Sequence, residues 1–175
     1  MLPNFLVIGA TRSGTTTLYN GLSLHDEIFL SRPKEVHFFD YYYEKGLDYY
    51  EKFFKDVKNE RAIGEITPMY FVKGVVWTNG NYKYEESNDA PIRIRNTLPN
   101  VKLVITLRNP ISRIYSMYWK NKRQGKISDS FETIIKKELD GIIKPENNKF
   151  CFIFYNHYAD HLAKWLELFS PEQIK

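Results

Sequence analysis

The chain has 175 residues, 43% of them hydrophobic and 16% aromatic, with a formal charge of +4; it reads as one soluble globular domain with a sizeable core. No apolar run approaches the roughly 20 residues that cross a bilayer, and residues 1–4 lead straight into an apolar strand, so neither a membrane span nor a signal peptide is expected. Cys151 is the single cysteine, which excludes an internal disulfide and a cysteine-based metal cluster and points to a reducing, cytoplasmic setting.

Phe5 to Ile8 is a short unbroken apolar run, as expected of a strand buried on both faces of a parallel sheet. It runs into a polar loop bracketed by Gly9 and Gly14. Glycines at that spacing let the backbone turn tightly around a ligand, and the free N–H groups opening the next helix attract an anion. Thr15, Thr16 and Thr17 add hydroxyl donors. A nucleotide-triphosphate P-loop would place Lys after the second glycine. Here Thr15 holds that position and the cation, Arg12, lies inside the loop, which weakens the reading as an ATP-dependent kinase. A bare glycine pair would equally fit an ordinary strand-to-helix turn; Arg12 and the threonines favour a binding loop.

The spacing then predicts a helix over Thr17–Leu24 with Leu18 and Leu22 inward, and a short strand over Ile28–Leu30. In Ser31-Arg-Pro-Lys-Glu-Val-His-Phe-Phe-Asp40 a charged cluster adjoins apolar residues, the mixture of a cleft wall. Leu47, Tyr50, Phe53, Phe54 and Val57 recur at helical spacing and read as core. Ala62 to Thr67 is a second buried strand, stopped by Pro68, with Glu65 near its end as an acceptor-facing group or a supporting partner. Gly74 to Asp89 reads as a surface excursion, followed by a short helix over Ala90–Leu98.

Val101 to Leu107 is the clearest strand and ends on Arg108. Asn109-Pro110 supplies an N-cap and a first-turn proline for a helix to about Arg123. On it Ile111, Ile114, Tyr115 and Tyr118 form an apolar stripe, with Arg113, Ser116, Lys120 and Arg123 on a second, basic face. From Val101 to Ile127 the charged residues are Lys102, Arg108, Arg113, Lys120, Lys122, Arg123 and Lys126, with no acidic one. Solvated faces normally mix signs, so this run points to a polyanionic ligand; nucleic acid is the weaker candidate. Phe131–Leu139 is a further amphipathic helix. Tyr155–Phe169 is another, with Tyr155, Tyr158, Leu162, Trp165, Leu166 and Phe169 inward, closed by Ser170-Pro171. Another strand would begin at Gln173 to Lys175. Cys151 reads as core.

Strands alternating with helices indicate a P-loop-like open parallel α/β sheet in three layers, with ligands at its carboxyl edge. Two strand ends, after Ile8 and after Leu107, carry anion-binding residues. A ligand with two separated phosphate-like groups would use both.

Three stretches, in order, resemble the sulfotransferase family, which uses 3′-phosphoadenosine 5′-phosphosulfate (PAPS) as donor. Thr11-Arg-Ser-Gly-Thr-Thr-Thr-Leu18 is similar to the family's 5′-phosphosulfate loop. Leu107-Arg-Asn-Pro-Ile-Ser-Arg-Ile-Tyr-Ser116 is similar to its 3′-phosphate motif. Pro33-Lys-Glu-Val-His-Phe-Phe-Asp40 resembles the acceptor segment of the heparan sulfate and related carbohydrate sulfotransferases.

The resemblance extends from Asn4 through Phe169-Ser-Pro-Glu-Gln-Ile174. It implies a donor held by Arg12, Ser13, Gly14, Thr15, Thr16 and Thr17 at one end and by Arg108 and Ser116 at the other. It also implies transfer to a hydroxyl or amine of a carbohydrate or other small acceptor, with no metal. Glu35 is the candidate general base and Arg12 the group that stabilises the transferring centre. His37 is a candidate for aiding deprotonation or binding acceptor, or a structural histidine between Val36 and Phe38; Lys34 ranks below Glu35 as an acceptor contact. Arg12 stands where many relatives have lysine and the tyrosylprotein branch has arginine. Ile66 stands where the 3-O-sulfating enzymes have lysine, which argues against a highly sulfated acceptor. Residues 1–175 read as one sulfotransferase-like domain cut short before the late loop that covers the donor in relatives. The alternative from another class is a nucleotide-binding module without turnover.

Overall fold

The computed structural model describes residues 1–78, 81–84, 90–146 and 150–175. Four parallel strands, β1 (Phe5–Gly9), β2 (Ile28–Leu30), β3 (Ala62–Ile66) and β6 (Lys102–Ile105), form one sheet in the order β2-β3-β1-β6. Phe5 pairs with Gly64 on one side and with Lys102 on the other. Strand β1 is therefore interior, with β3 and β2 on one side and β6, reached by the crossover from β3, on the other. The crevice beyond the carboxyl ends of β1 and β6 is the switch point where open α/β sheets bind ligands.

Alternation along β1 sends Leu6 and Ile8 into one core and Val7 into another, so the sheet is covered on both faces. Helix α1 (Thr15–Leu22) covers the Val7 face with Leu18, Tyr19 and Leu22. The opposite core gathers Phe38, Phe39, Tyr50, Tyr70, Phe71, Ile94, Leu103, Trp165 and Phe169, bringing in α2 (Leu47–Glu51), α3 (Ala90–Thr97) and α6 (Tyr158–Leu168). The three-layer α/β/α arrangement read from the sequence is the one found. Gly9 is required by close approach: a Cβ there would lie 2.3 Å from Cβ of Phe71, whose N–H donates to the Ile8 carbonyl at 2.8 Å.

A satellite core of Tyr118, Ile127, Ile134, Cys151, Phe152 and Tyr155 joins α4 (Pro110–Arg123) to α5 (Phe131–Leu139). Burial pushes the Cys151 thiol up to about 12, as suits a core residue. Strands β4 (Val75–Thr78) and β5 (Asn81–Tyr84) pair antiparallel; the rest of the excursion read over 74–89 lies partly outside the described residues. Ile174 bridges in parallel to Leu103, and Lys175 exchanges backbone hydrogen bonds with Leu103 and Ile105. The sheet thus continues beside β6 where a strand was expected. No described helix is long and apolar enough to cross a membrane.

Several boundaries and facings differ from the periodicity. Helix α1 starts at Thr15 because Gly14, at φ 87, reverses the chain directly before it. The segment from Leu47 folds as the short α2 and a 3-10 turn over Lys52–Phe54, which leaves Leu47 45% exposed. His157 (ψ 62) separates the turn at Phe154–Asn156 from α6, on which Leu166 faces out. On α4, Ile111 and Tyr115 are exposed, whereas Arg113 is buried. Arg113 Nε donates to the Thr11 carbonyl at 2.7 Å and its Nη1 to the Tyr155 carbonyl at 3.0 Å. Loop and turn carbonyls need donors there, which an apolar stripe cannot provide.

Candidate active site

The loop after β1 is fixed to the end of β6: Ala10 N donates to the Thr106 carbonyl, and Thr106 N to that of Gly9. The first N–H groups of a helix have no intrahelical partner, and no side chain caps those of α1. Ser13 Oγ is buried without a hydrogen-bond partner. Free amides, an orphaned buried hydroxyl and an arginine fit an anionic group.

The facing wall comes from α4. Asn109 caps it by accepting from Ser112 N at 3.2 Å, which sets the first turn beside the β1 loop. Ser116 then reaches Arg12, whose Nε donates to Ser116 Oγ at 3.0 Å. A cleft of about 250 Å³ lies here, lined by Thr11, Arg12, Gly14, Thr15, Thr16, Glu35, Pro68, Arg108, Ser116 and Lys120. Residues from both strand ends and from the 31–40 segment therefore meet. Ser13 and Thr17 do not line this cleft. Burial lowers the Lys120 pKa, and Glu35 opposes that shift.

Glu35 arrives from the segment after β2, held down where its backbone N–H donates to the Ile66 carbonyl at 3.1 Å. Lys34 Nζ donates to Glu35 Oε1. His37 Nε2 lies 3.6 Å from Glu35 Oε2, an ion-pair distance rather than a hydrogen bond. On its other side His37 Nδ1 is 2.9 Å from Asp40 Oδ2, within a carboxyl that is almost fully buried. The pairing with His37, reinforced by Lys34 and opposed by burial, holds Glu35 down to about 2. Burial works against a charge on His37, but Asp40 and Glu35 outweigh it and raise the ring to about 10. At neutral pH Glu35 is therefore a carboxylate and His37 an imidazolium.

Three residues other than glycine hold a positive φ among those described: Arg12 (68), Glu35 (65) and His37 (55). Such backbone costs roughly 1–3 kcal/mol per residue and persists where surrounding structure over-determines it. All three belong to this site.

The family model for the sulfotransferase domain matches residues 2–175. The chain belongs to the sulfotransferase family. It is 37% identical over 150 residues to a membrane-associated sulfotransferase, kil1, of Dictyostelium discoideum, covering 81% of this chain and 29% of that protein. It is 29% identical over 167 residues to human heparan sulfate glucosamine 3-O-sulfotransferase 6, covering 95% of this chain and 44% of the relative. The crystal structure of a sulfotransferase from Alicyclobacillus acidocaldarius superposes with a TM-score of 0.80 at 27% identity, over 100% of this chain and 72% of that one. The chain thus spans less than half the length of these two curated relatives.

In this sulfotransferase domain, sequence reasoning passed over Asp40 and Lys120 as site residues. Lys120 was legible on the basic face of α4, one turn beyond Ser116. Asp40 was hidden in an aromatic run, where its i,i+3 step from His37 was the available signal. Beneath them, Glu65 is fully buried, with both carboxylate oxygens lacking a hydrogen-bond partner; Thr67 Oγ1 and Tyr50 OH are likewise orphaned. Burial raises Glu65 to about 7, and nearby Asp40 adds to the rise while Tyr70, Tyr50 and Thr67 oppose it. Tyr70 also ties this layer to the His37 segment, since its hydroxyl accepts from Phe39 N at 3.2 Å. Glu65 lines neither this cleft nor the neighbouring one that His37 lines. Among the described residues no group of three or more His, Cys, Asp or Glu is gathered to hold a metal ion.

Proposed function

We propose that this domain transfers a sulfuryl group from PAPS to a hydroxyl, or an amine, of a carbohydrate acceptor. The observation that carries the reading is the cleft where Arg12, Arg108 and Lys120 meet one carboxylate, Glu35. Two anion-binding strand ends suit a donor with two separated anionic groups, and a base at the same cleft suits transfer. The relatives named for heparan sulfate support the choice of a carbohydrate.

In this reading the 5′ end of the donor is held by Arg12, Ser13 and Gly14 to Thr17, and the 3′-phosphate by Arg108 and Ser116. The donor supplies the sulfuryl group: its S–O bond to the leaving phosphate breaks as the bond to the acceptor forms. Glu35 takes the acceptor proton. Arg12, Lys120 and the first-turn amides of α1 neutralise charge on the transferring group and leaving oxygen, the main contribution a protein makes to such displacements. His37 orients Glu35 and keeps it ionised, while Lys34 restrains the same carboxylate.

Calorimetry with adenosine 3′,5′-bisphosphate and 5′-AMP tests the donor assignment. Binding that requires the 3′-phosphate supports it; equal binding of 5′-AMP overturns it. Transfer from labelled PAPS to a panel of sugar acceptors tests turnover, and binding without transfer to any of them would favour a binding module.

A further inference from the structure

Asp40 reaches His37 from a single π-helical turn, Phe38–Tyr42, that opens on the His37 carbonyl: Tyr41 N and Tyr42 N both donate to it, at 3.0 and 2.9 Å. Phe39 stands between His37 and Asp40 and is buried. Both of its backbone polar groups are held by side chains from distant parts of the chain. The N–H, too early in the turn for a partner within it, donates to Tyr70 OH at 3.2 Å. The carbonyl accepts from Arg93 Nη1 at 2.9 Å. Arg93 comes from α3 and is itself only 7% exposed, with its guanidinium carbon 4.7 Å from the Tyr43 ring centroid. Burying a guanidinium is costly unless its donors are used, and an apolar side chain would suffice to cover Tyr43. What the arginine adds is a charged donor for the carbonyl between His37 and Asp40.

We propose that Arg93 is a positioning residue for the transfer reaction: through the Phe39 carbonyl it fixes the turn that sets Asp40 against His37, and so His37 against Glu35. The proposal rests on Glu35 being the base. His37 holds a left-handed backbone, φ 55, which surrounding structure must maintain against its strain. With Phe39 clamped at its N–H by Tyr70 and at its carbonyl by Arg93, the planar peptides on either side of it are fixed in orientation. His37 Nδ1 then stays 2.9 Å from Asp40 Oδ2. Without the Arg93 donor the peptide after Phe39 can turn, the Asp40 contact lengthens, and the ring loses the group that sets it 3.6 Å from Glu35 Oε2. Misplacing a reacting group by about 1 Å can cost about 10²-fold in rate.

The test is NMR titration of the His37 ring protons in the whole chain. Asp40 and Glu35 face this ring and raise it to about 10; Arg93→Met should lower its midpoint by about one pH unit as the Asp40 contact weakens. Made on top of Asp40→Asn, Arg93→Met should add no further shift, a pattern that general loosening of the fold would not give. Arg93→Lys keeps a charged donor and should shift less. Ile94→Ala, on the same helix and buried in the core, should melt earlier with the His37 titration unchanged. Transfer from labelled PAPS to a sugar that the parent accepts should show kcat about ten- to hundred-fold lower in Arg93→Met, with adenosine 3′,5′-bisphosphate affinity preserved. A parent-like titration or kcat in folded Arg93→Met overturns the proposal, as does an equal shift in Ile94→Ala. Should Arg93→Met not fold, Arg93→Gln takes its place with the same outcomes. Glu35→Gln separates the two readings: transfer at the parent rate removes the base, while the His37 titration still decides whether Arg93 holds the turn.

Discussion

Arg12 and Ser116, 104 positions apart in the chain, are joined by one hydrogen bond of 3.0 Å from Nε to Oγ. It ties the loop after β1 to α4 and so couples the two ends of the proposed donor site. Ser116→Ala removes the acceptor for Arg12 together with a donor to the 3′-phosphate. Affinity for adenosine 3′,5′-bisphosphate should fall about ten-fold, from the loss of roughly one charge-assisted hydrogen bond. Affinity for 5′-AMP should fall less; calorimetry on both ligands checks the difference.

Glu35→Gln keeps the shape of the side chain and removes its basicity. Turnover should drop by about 10²–10⁴-fold, with adenosine bisphosphate binding preserved. Transfer at the parent rate would remove Glu35 from the role of base.

The same substitution has a pH signature. Glu35, lowered to about 2, contributes stability that is complete above its ordinary 4.5 and lost as pH falls towards 2. His37, raised to about 10, contributes stability that is complete below its ordinary 6.5 and lost as pH rises towards 10. Their joint contribution is greatest between these ordinary values. In Glu35→Gln the His37 ring should titrate lower than in the parent, as read by NMR of its ring protons.

Arg113→Met should destabilise the fold by about 2–4 kcal/mol, because the Thr11 and Tyr155 carbonyls lose charged donors in a buried setting. Urea denaturation measures it. Bisphosphate affinity should weaken as well, since Thr11 lies beside Arg12 at the start of the cleft.

Much of this layout was legible in the sequence. The two anion loops and the Glu35 segment stand directly after apolar runs, so strand pattern and loop chemistry could be read together. Less legible was the facing of α4. Ile111 and Tyr115 have core spacing, yet the helix is turned by Arg113, whose partners are backbone carbonyls distant in sequence. Asp40 was hidden for a related reason: it is a buried carboxyl amid phenylalanines and tyrosines, its i,i+3 step from His37 is a faint signal, and only the fold brings it near Glu65.

Glu65, raised to about 7, binds its proton more tightly in the folded chain than its ordinary value of 4.5 allows in the unfolded one. Its presence therefore costs stability progressively as pH rises from 4.5 through 7, by up to about 3 kcal/mol. Glu65→Gln should remove this component and be more stable than the parent at pH 8, with little difference at pH 4. Thermal melts at the two values decide it; a parent that gains stability relative to the variant on going to pH 8 would contradict the assignment.

The left-handed backbone at Arg12, Glu35 and His37 has a consequence for how this domain responds to selection. Glycine occupies that conformation without steric penalty, so at these positions a loss of the working side chain brings local relief. A screen that rewards heat resistance alone would be drawn towards the residues that chemistry needs most. At Arg12 such a glycine variant should be hardier and inactive, whereas at Glu35 and His37 the relief is set against the ion pairs lost with the side chain, so selection for turnover has most to oppose at Arg12.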